Sequence, residues 1–415
     1  MPANAHEIAT AVRARELDAV EVVERALREV EAQAALNAFI TVCAERALER
    51  ARGGVDGPLA GVPLLVKDVF DTAGIRTTAG SRIYADNVPD ASAPAVRALE
   101  AAGAIVIGKT GCDEFAWGVT GQNAIYGDVR NPRRPGCITG GSSSGNAAAL
   151  AAGIAPLAIG SDTGGSVRMP AACCDVVGMK PRLGALATDG LFPLCPSFDT
   201  PGPMAGTVAD CARCYEVLSA APLRAVDPAK LRVGALTAMP ALAPGGAAAD
   251  RDERALAFSA QLEDLCMGCE EVALPVPRAD LWPVFYGEAA RTHRAHFPAR
   301  RDEYGPTIRA KLDNAQHVSA QAVHAGRRAL ASWRDRAQRE PGVDVIVCPT
   351  LGVREIPAAD VDELEIRVPF SAYTRVFSFL GWPAIAVGGV QFAARDPDLM
   401  FAAALAWERS YGPPG

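Results

Sequence analysis

Hydrophobic residues recur at helical spacing near the N-terminus and give way to short apolar runs further along the chain. Across residues 8–40 the apolar positions follow a helical period, which predicts two amphipathic helices. Asp18 and Glu21 resemble a capping box at the start of the second helix. After a glycine-rich break at residues 51–58, the apolar run at residues 61–66 predicts a buried strand that ends at Lys67.

Helix-like and strand-like segments alternate through the rest of the chain. Helices are predicted at residues 94–102, in the alanine-rich segment before Gly153 and at residues 207–219, and strands at residues 104–107, 157–160, 231–236, 344–348 and 383–392. This alternation predicts one α/β domain with a largely parallel or mixed sheet. Residues 238–249, rich in alanine, proline and glycine, are interpreted as a surface loop.

Composition narrows the class of protein. The 415 residues are 49% hydrophobic and carry a net charge of −7, which is typical of a folded soluble protein and gives no electrostatic footprint for nucleic acid. The chain has no uncharged apolar run of about 18 residues and no signal-peptide pattern, so neither a membrane span nor export is predicted. Eleven cysteines without an export signal indicate reduced thiols and a cytoplasmic protein.

Three segments carry residues suited to acyl transfer. Lys67 follows a buried strand, where lost hydration lowers the pKa of an amine and makes a neutral base available; the alternative is a structural ion pair with Asp68. Gly140-Gly-Ser-Ser-Ser-Gly145 allows a tight turn before a helix, and by itself it favours a structural helix cap, with an anion site at a helix N-terminus as the alternative. Asp162-Thr-Gly-Gly-Ser166 can direct successive amides at one oxygen, as an oxyanion hole requires, although a plain turn has the same composition.

The histidines lie outside these glycine–serine segments. They are His6, His293, His296, His317 and His324. A Ser–His–Asp arrangement needs only proximity in space and is not excluded, but lysine is the nearest base in the recognisable segments.

Two further patterns match a nucleotide-binding loop and a zinc site, but the residues around them argue against both functions. Gly103-Ala-Ile-Val-Ile-Gly-Lys-Thr110 matches the P-loop pattern, but its middle residues are typical of a strand and lack the small residues of a phosphate-binding loop. The Cys211/Cys214 and Cys266/Cys269 pairs are far apart for a zinc site, and both lie in helical patterns. They are interpreted as buried thiols.

Taken together, the three acyl-transfer segments resemble the core motifs of the amidase-signature family. The motifs are Val62-Pro-Leu-Leu-Val-Lys-Asp68, Gly140-Gly-Ser-Ser-Ser-Gly145 and Gly160-Ser-Asp-Thr-Gly-Gly-Ser-Val-Arg-Met-Pro170. The resemblance implies a single α/β domain over residues 1–415, with a large mixed twisted sheet covered by helices on both faces. It divides the chain into N-terminal helices (1–56), a catalytic core (57–220) and a variable substrate-side and C-terminal part (221–415).

The resemblance also implies roles for individual residues. Ser166 resembles the nucleophile, Ser142 a bridging serine that follows a cis peptide from Gly141, and Lys67 the base. The amides resembling an oxyanion hole are those of Thr163, Gly164, Gly165 and Ser166, and the residues resembling supports of the turn are Ser143, Asp162 and Arg168. The implied reaction hydrolyses a small carboxamide to a carboxylate and ammonia through an acyl-enzyme. It requires no metal or organic cofactor, its partner is the small-molecule amide, and it is compatible with a homodimer.

The C-terminal part departs from the family pattern. Ala386-Val387 runs directly into Gly388-Gly-Val-Gln391, where the family has a longer loop that helps to hold substrate in the glutaminase subunit of the tRNA-dependent amidotransferase. A free-standing amidase is therefore favoured over a glutaminase subunit that delivers ammonia to a partner enzyme. A purely binding or scaffold role is disfavoured because the three catalytic-type residues are intact. Substrate contacts are predicted at residues 115–117 and 282–313.

Overall fold

One mixed sheet organises the chain. The computed structural model describes residues 4–242, 252–262 and 268–414. The strands in these ranges are β1 (Phe39–Val42), β2 (Pro63–Lys67), β3 (Ile105–Thr110), β4 (Leu157–Ser161), β5 (Val177–Lys180), β6 (Pro201–Ala205), β7 (Arg232–Leu236), β8 (Gly268–Val272), β9 (Val345–Pro349), β10 (Ala384–Val387) and β11 (Val390–Ala394). The helices are α1 (Ala5–Arg13), α2 (Ala19–Ala32), α3 (Ala44–Arg52), α4 (Pro94–Ala101), α5 (Ser144–Ala151), α6 (Arg168–Cys173), α7 (Val208–Ser219), α8 (Arg254–Leu262), α9 (Trp282–His293), α10 (Pro306–Ala315), α11 (Ala320–Ala337), α12 (Glu363–Phe370), α13 (Ala372–Leu380) and α14 (Pro397–Tyr411).

The strand order is β1-β3-β2-β4-β6-β5-β10-β11-β9-β7-β8. Strand β2 runs parallel to β3 and β4, and β7 runs parallel to β8 and β9. The other neighbouring pairs are antiparallel, as in β4–β6 and β10–β11. The sheet is therefore mixed, as predicted.

Helices cover both faces of this sheet because successive side chains of its central strands point to opposite sides. Leu64 and Val66 of β2 belong to one hydrophobic core together with Val208 of α7. Leu65 lies between them in sequence and belongs to a second core, with Ala148 of α5. All five residues are fully buried. The predicted α/β fold class, with helices on both faces, is confirmed.

Two predicted elements differ from the structure. The helical pattern across residues 8–40 ends early, since α2 stops at Ala32 and β1 takes Phe39–Val42 into the sheet edge beside β3. Asp18 caps α2 by accepting from the amide of Val20 at 2.8 Å, and not from that of Glu21 as in a capping box. Local periodicity predicted the helices and missed the strand that pairs with distant residues.

The second difference is at residues 383–392, which were predicted as one strand. They form the hairpin β10–β11, in which Val387 pairs with Val390. Gly388 at the turn has φ +55°, a conformation that glycine adopts without strain. The direct connection expected from the short Gly-Gly sequence is confirmed.

The predicted loop at residues 238–249 lies partly outside the described residues, which end at 242 and resume at 252. Within the described ranges, none of the helices combines the length and apolar character needed to cross a bilayer. The subdivision at residues 56 and 220 stays a prediction.

Candidate active site

The carboxyl ends of β2 and β4 bring Lys67 into contact with two serines. The two strands are parallel, with Val66 opposite Ile159, so Lys67 and Ser161 emerge side by side. Lys67 Nζ donates to Ser142 Oγ at 2.7 Å and to Ser161 Oγ at 2.9 Å. The lysine is fully buried.

The structural alternative for Lys67 is excluded by the position of Asp68. Asp68 lies 3.5 Å from Lys109 Nζ and accepts from Thr78, so it faces away from Lys67. Burial lowers the pKa of Lys67 to about 8, while nearby carboxyl groups partly oppose that shift. A substantial fraction of the amine is therefore neutral near physiological pH.

Ser142 follows a cis peptide and stands just before α5. The Gly141–Ser142 bond is cis, as the resemblance implied. The next residue, Ser143, donates its amide to Ser166 O at 3.0 Å, and its hydroxyl lies 3.4 Å from Ser161 O. Ser143 thus ties the segment of Ser142 to the segment of Ser166.

The turn that carries Ser166 is built around a buried ion pair. Arg168 donates to both oxygens of Asp162, at 2.9 and 2.8 Å, and both side chains are fully buried. Although burial alone would raise it, the Arg168 guanidinium holds the pKa of Asp162 below its usual range. Gly165 has φ +130°, and a Cβ there would lie 2.2 Å from Thr374 Oγ1, so only glycine fits.

Three of the four amides predicted for the oxyanion hole are available. Within the described ranges, the amides of Thr163, Gly164 and Ser166 donate to no protein acceptor. The amide of Gly165 instead donates to Asp162 Oδ1 at 2.8 Å. Free amides at a buried turn can stabilise a developing oxyanion if they point at one oxygen.

The structure forms one of the two links of the predicted relay. Lys67 and Ser142 are hydrogen-bonded, whereas no hydrogen bond joins Ser142 Oγ to Ser166 Oγ among the described contacts. Catalytic hydrogen bonds of this kind are often long without substrate and tighten in the reacting complex.

Several residues of the site were not singled out by their sequence. Ser161 contacts Lys67, and Asp199 accepts from Thr163 Oγ1 at 2.6 Å. From the C-terminal part, Thr374 O and Gln391 Oε1 accept from Arg168 Nη1 at 2.9 and 2.7 Å. Ser161 belongs to the Gly160–Pro170 motif and Gln391 to the Gly-Gly-Val-Gln segment, but neither was assigned a role from the sequence.

A cavity opens beside Ser166. Its lining includes Trp117, Trp282, Phe285, Tyr286, Lys311, Glu363, Arg367 and Arg375. Of the segments in which substrate contacts were predicted, Ala116, Trp117, Trp282, Phe285, Tyr286 and Lys311 line this cavity. Phe115 does not line the cavity and packs against Phe192 and His293. The contribution of α12 and α13 was not predicted.

The two alternative motifs have structural roles. Ile105–Thr110 is strand β3, and Lys109 is buried with its ammonium donating to Phe70 O at 2.7 Å, so the P-loop interpretation is excluded. Cys211 and Cys214 are buried on α7, as predicted. The prediction that Cys269 lies in a helix is wrong, because it is on β8, and Cys266 lies outside the described residues. The described residues contain no group of three or more side chains arranged to hold a metal ion.

Comparisons with known proteins agree with these motifs. A glutamyl-tRNA(Gln) amidotransferase subunit of Symbiobacterium thermophilum is 42% identical over 290 residues, which is 63% of this chain and 58% of that protein. The corresponding protein of Koribacter versatilis is 44% identical over a stretch that covers 50% of this chain and 45% of that protein. The chain spans about half the length of the curated relatives that it matches.

Solved structures match over nearly the whole chain. The 6-aminohexanoate cyclic dimer hydrolase is 27% identical with a TM-score of 0.85, covering 98% of this chain and 96% of that one. The peptide amidase of Stenotrophomonas maltophilia is 28% identical with a TM-score of 0.80, covering 99% and 97%. The family model described as Amidase matches residues 21–397. This protein therefore belongs to the Amidase family, the amidase-signature hydrolases that act on carbon–nitrogen amide bonds.

Proposed function

We propose that this protein hydrolyses a small carboxamide to a carboxylate and ammonia, with Ser166 as nucleophile and Ser142 and Lys67 as its proton relay. The proposal rests on the burial and the hydrogen-bond partners of Lys67. It is fully buried, bonded to Ser142 Oγ at 2.7 Å, and separate from the Asp68–Lys109 pair. A buried lysine held only by hydroxyl groups is suited to act as a neutral base.

In the proposed acylation, neutral Lys67 Nζ accepts the proton of Ser142, which accepts the proton of Ser166 as its oxygen bonds to the amide carbon. The carbonyl electron pair moves to oxygen, where the amides of Thr163, Gly164 and Ser166 stabilise it. The relay returns a proton to the amide nitrogen, so the C–N bond breaks and ammonia leaves. Water then adds to the acyl carbon through the same relay, which releases the carboxylate and restores Ser166.

Ammonia release by the purified chain tests this function. We expect turnover of at least one non-glutamine amide in a panel of aliphatic, aromatic, dicarboxylic and ureido amides, because Lys67, Ser142 and Ser166 all belong to this one chain. Glutamine is included as a separate member of the panel. No ammonia release from any amide would contradict the proposal, and turnover of glutamine alone would favour a glutaminase.

A pH profile tests Lys67 as the base. We expect kcat/KM for a neutral amide to rise with pH and to level off above about 8, because burial lowers the pKa of Lys67 to about 8 and only the neutral amine accepts a proton. Below that pKa the neutral fraction grows about tenfold per pH unit. Initial rates from about pH 6 to 10 measure the profile, and a flat profile would contradict the role of Lys67.

The second candidate is a glutaminase that supplies ammonia to a partner enzyme. It is favoured by the relatives named as glutamyl-tRNA(Gln) amidotransferase subunits. The tight β10–β11 hairpin favours the free-standing amidase, because it leaves no room for a substrate-holding loop at residues 388–389. Partner-dependent activity on glutamine would distinguish this candidate.

A further inference from the structure

The cavity beside Ser166 carries positive charge that the protein does not neutralise. Lys311 and Glu363 neutralise each other in an ion pair, and the Lys311 ammonium also donates to Trp117 O at 2.6 Å. Arg367 and Arg375 also line the cavity, and neither has a carboxylate within 4.0 Å in the described part of the chain. Two guanidinium groups therefore face the cavity without a counter-ion.

Arg375 is held with one donor edge available. Its Nε donates to Ser371 O at 3.3 Å, its Nη2 donates to Val368 O at 2.5 Å, and the Trp282 ring lies 4.8 Å from its Cζ. No protein acceptor among the described residues reaches Nη1. Arg375 is 8% exposed and lines the cavity, so this donor edge is available to a ligand that enters there.

The second guanidinium adds to the attraction for an anion. Arg367 stands over the Tyr286 ring at 5.8 Å, and its Nε is buried without a hydrogen-bond partner among the described residues. Burial, followed by the positive charge of Arg367, lowers the pKa of Arg375 to about 10. An anion bound at the two groups would relieve this repulsion and satisfy the free donors.

Arg375 is fixed relative to the turn that carries Ser166. Its neighbour Thr374 donates through Oγ1 to Gly164 O at 2.8 Å. A Cβ on Gly164 would lie 3.6 Å from Arg375 Cγ. An anion held by Arg375 would therefore be anchored at a set separation from the reacting carbonyl.

We propose that the substrate is a monoamide of a dicarboxylic acid, whose free carboxylate binds Arg375 in the field of Arg367. This rests on the proposed function, since ammonia is the leaving group there and a second anionic group must belong to the acyl chain. Hydrolysis then consumes one water and releases a dicarboxylate and ammonia. Simple monoamides are favoured over glutamine, because Glu363 is committed to Lys311 and is not free to bind an α-ammonium.

Matched amides test the proposal with the full chain. Malonamate, succinamate and glutaramate are compared with propionamide, butyramide and valeramide, in which a methyl group replaces the carboxylate. For the best chain length we expect kcat/KM to favour the anionic amide by about 10- to 100-fold, the range of a charge-assisted hydrogen bond. Arg375→Gln should lower this ratio by a similar factor.

Two further variants separate the effect from general damage. Arg395→Gln removes an arginine that stacks on Trp382 at 4.9 Å outside the cavity, and it should keep the wild-type ratio. Arg367 makes no side-chain hydrogen bond within the described ranges, so Arg367→Gln should fold and should lower the ratio by about 2- to 5-fold. This second variant decides the question if Arg375→Gln does not fold.

The outcomes distinguish this proposal from the proposed function. Turnover of neutral amides with no preference for any anionic partner, or a preference that survives Arg375→Gln and Arg367→Gln, would overturn the substrate class and leave the amidase intact. Silence on all six amides would count against the amidase. Calorimetric titration with malonate, succinate and glutarate then decides the anion site, since binding that is weakened in Arg367→Gln supports it and absent or unaltered binding overturns it.

Discussion

Ser166→Ala should lower amide turnover by at least about 10⁴-fold, because no second nucleophile stands in line with the glycine turn. The hydroxyl of Ser166 lines the cavity beside the free amides of Thr163 and Gly164, so its oxygen is the group placed to attack a carbonyl held there. Ammonia release under single-turnover and steady-state conditions measures the loss.

Ser144→Ala is the matched control for this substitution. Ser144 is also buried, belongs to the same glycine–serine segments and lies 3.4 Å from Gly111 O, away from Lys67. We expect its activity to stay within a few-fold of the wild type, because only a weak hydrogen bond is lost. Equal loss in both variants would indicate structural damage and not removal of a nucleophile.

Trapping tests the same residue through its covalent intermediate. With hydroxylamine present, the wild-type protein should form the hydroxamate of the acyl group, because the acyl-enzyme on Ser166 partitions between water and the added nucleophile. Ser166→Ala should form none. Hydroxamate in the absence of Ser166 would place the nucleophile elsewhere.

The central site was predictable because its parts are local in sequence. The apolar run before Lys67 predicted a buried strand, and burial is what changes the chemistry of the lysine. Glycines around Ser142 and Ser166 predicted tight turns, which the positive φ angles of Gly140 and Gly165 confirm. Each of these features is decided by a few consecutive residues.

The C-terminal residues that hydrogen-bond to Arg168 were not predictable from the sequence, because their position depends on the order of the strands in the sheet. Strand β10 pairs with β5, which brings Thr374, Ser378 and Gln391 to Arg168 across more than 200 residues of sequence. Likewise, Arg367 and Arg375 look like ordinary charges of two short helices until both are found in one cavity. Pattern and propensity carry no signal for such long-range neighbours.

Lys67→Met and Ser142→Ala should each lower kcat/KM by about 10²–10⁴-fold, the usual contribution of positioned proton transfer. Methionine is one heavy atom shorter than lysine and lacks the amine, so it leaves a much smaller cavity than alanine would create. Removing the buried amine lifts a desolvation cost, whereas the buried hydroxyls of Ser142 and Ser161 each lose a hydrogen-bond partner. Because these two effects oppose each other, thermal unfolding of Lys67→Met should stay close to that of the wild type.

The double variant distinguishes a relay from two independent contributions. If Lys67 acts only through Ser142, the double variant should be little worse than either single one, because residues that act as a unit give non-additive losses. Independent roles would instead multiply the two losses. The residual activity of Lys67→Met should also lack the rise in kcat/KM that levels off above pH 8, since the group that titrates there is gone. Wild-type rates in Lys67→Met near neutral pH would rule out Lys67 as the base. The base would then have to be a residue outside the glycine–serine segments.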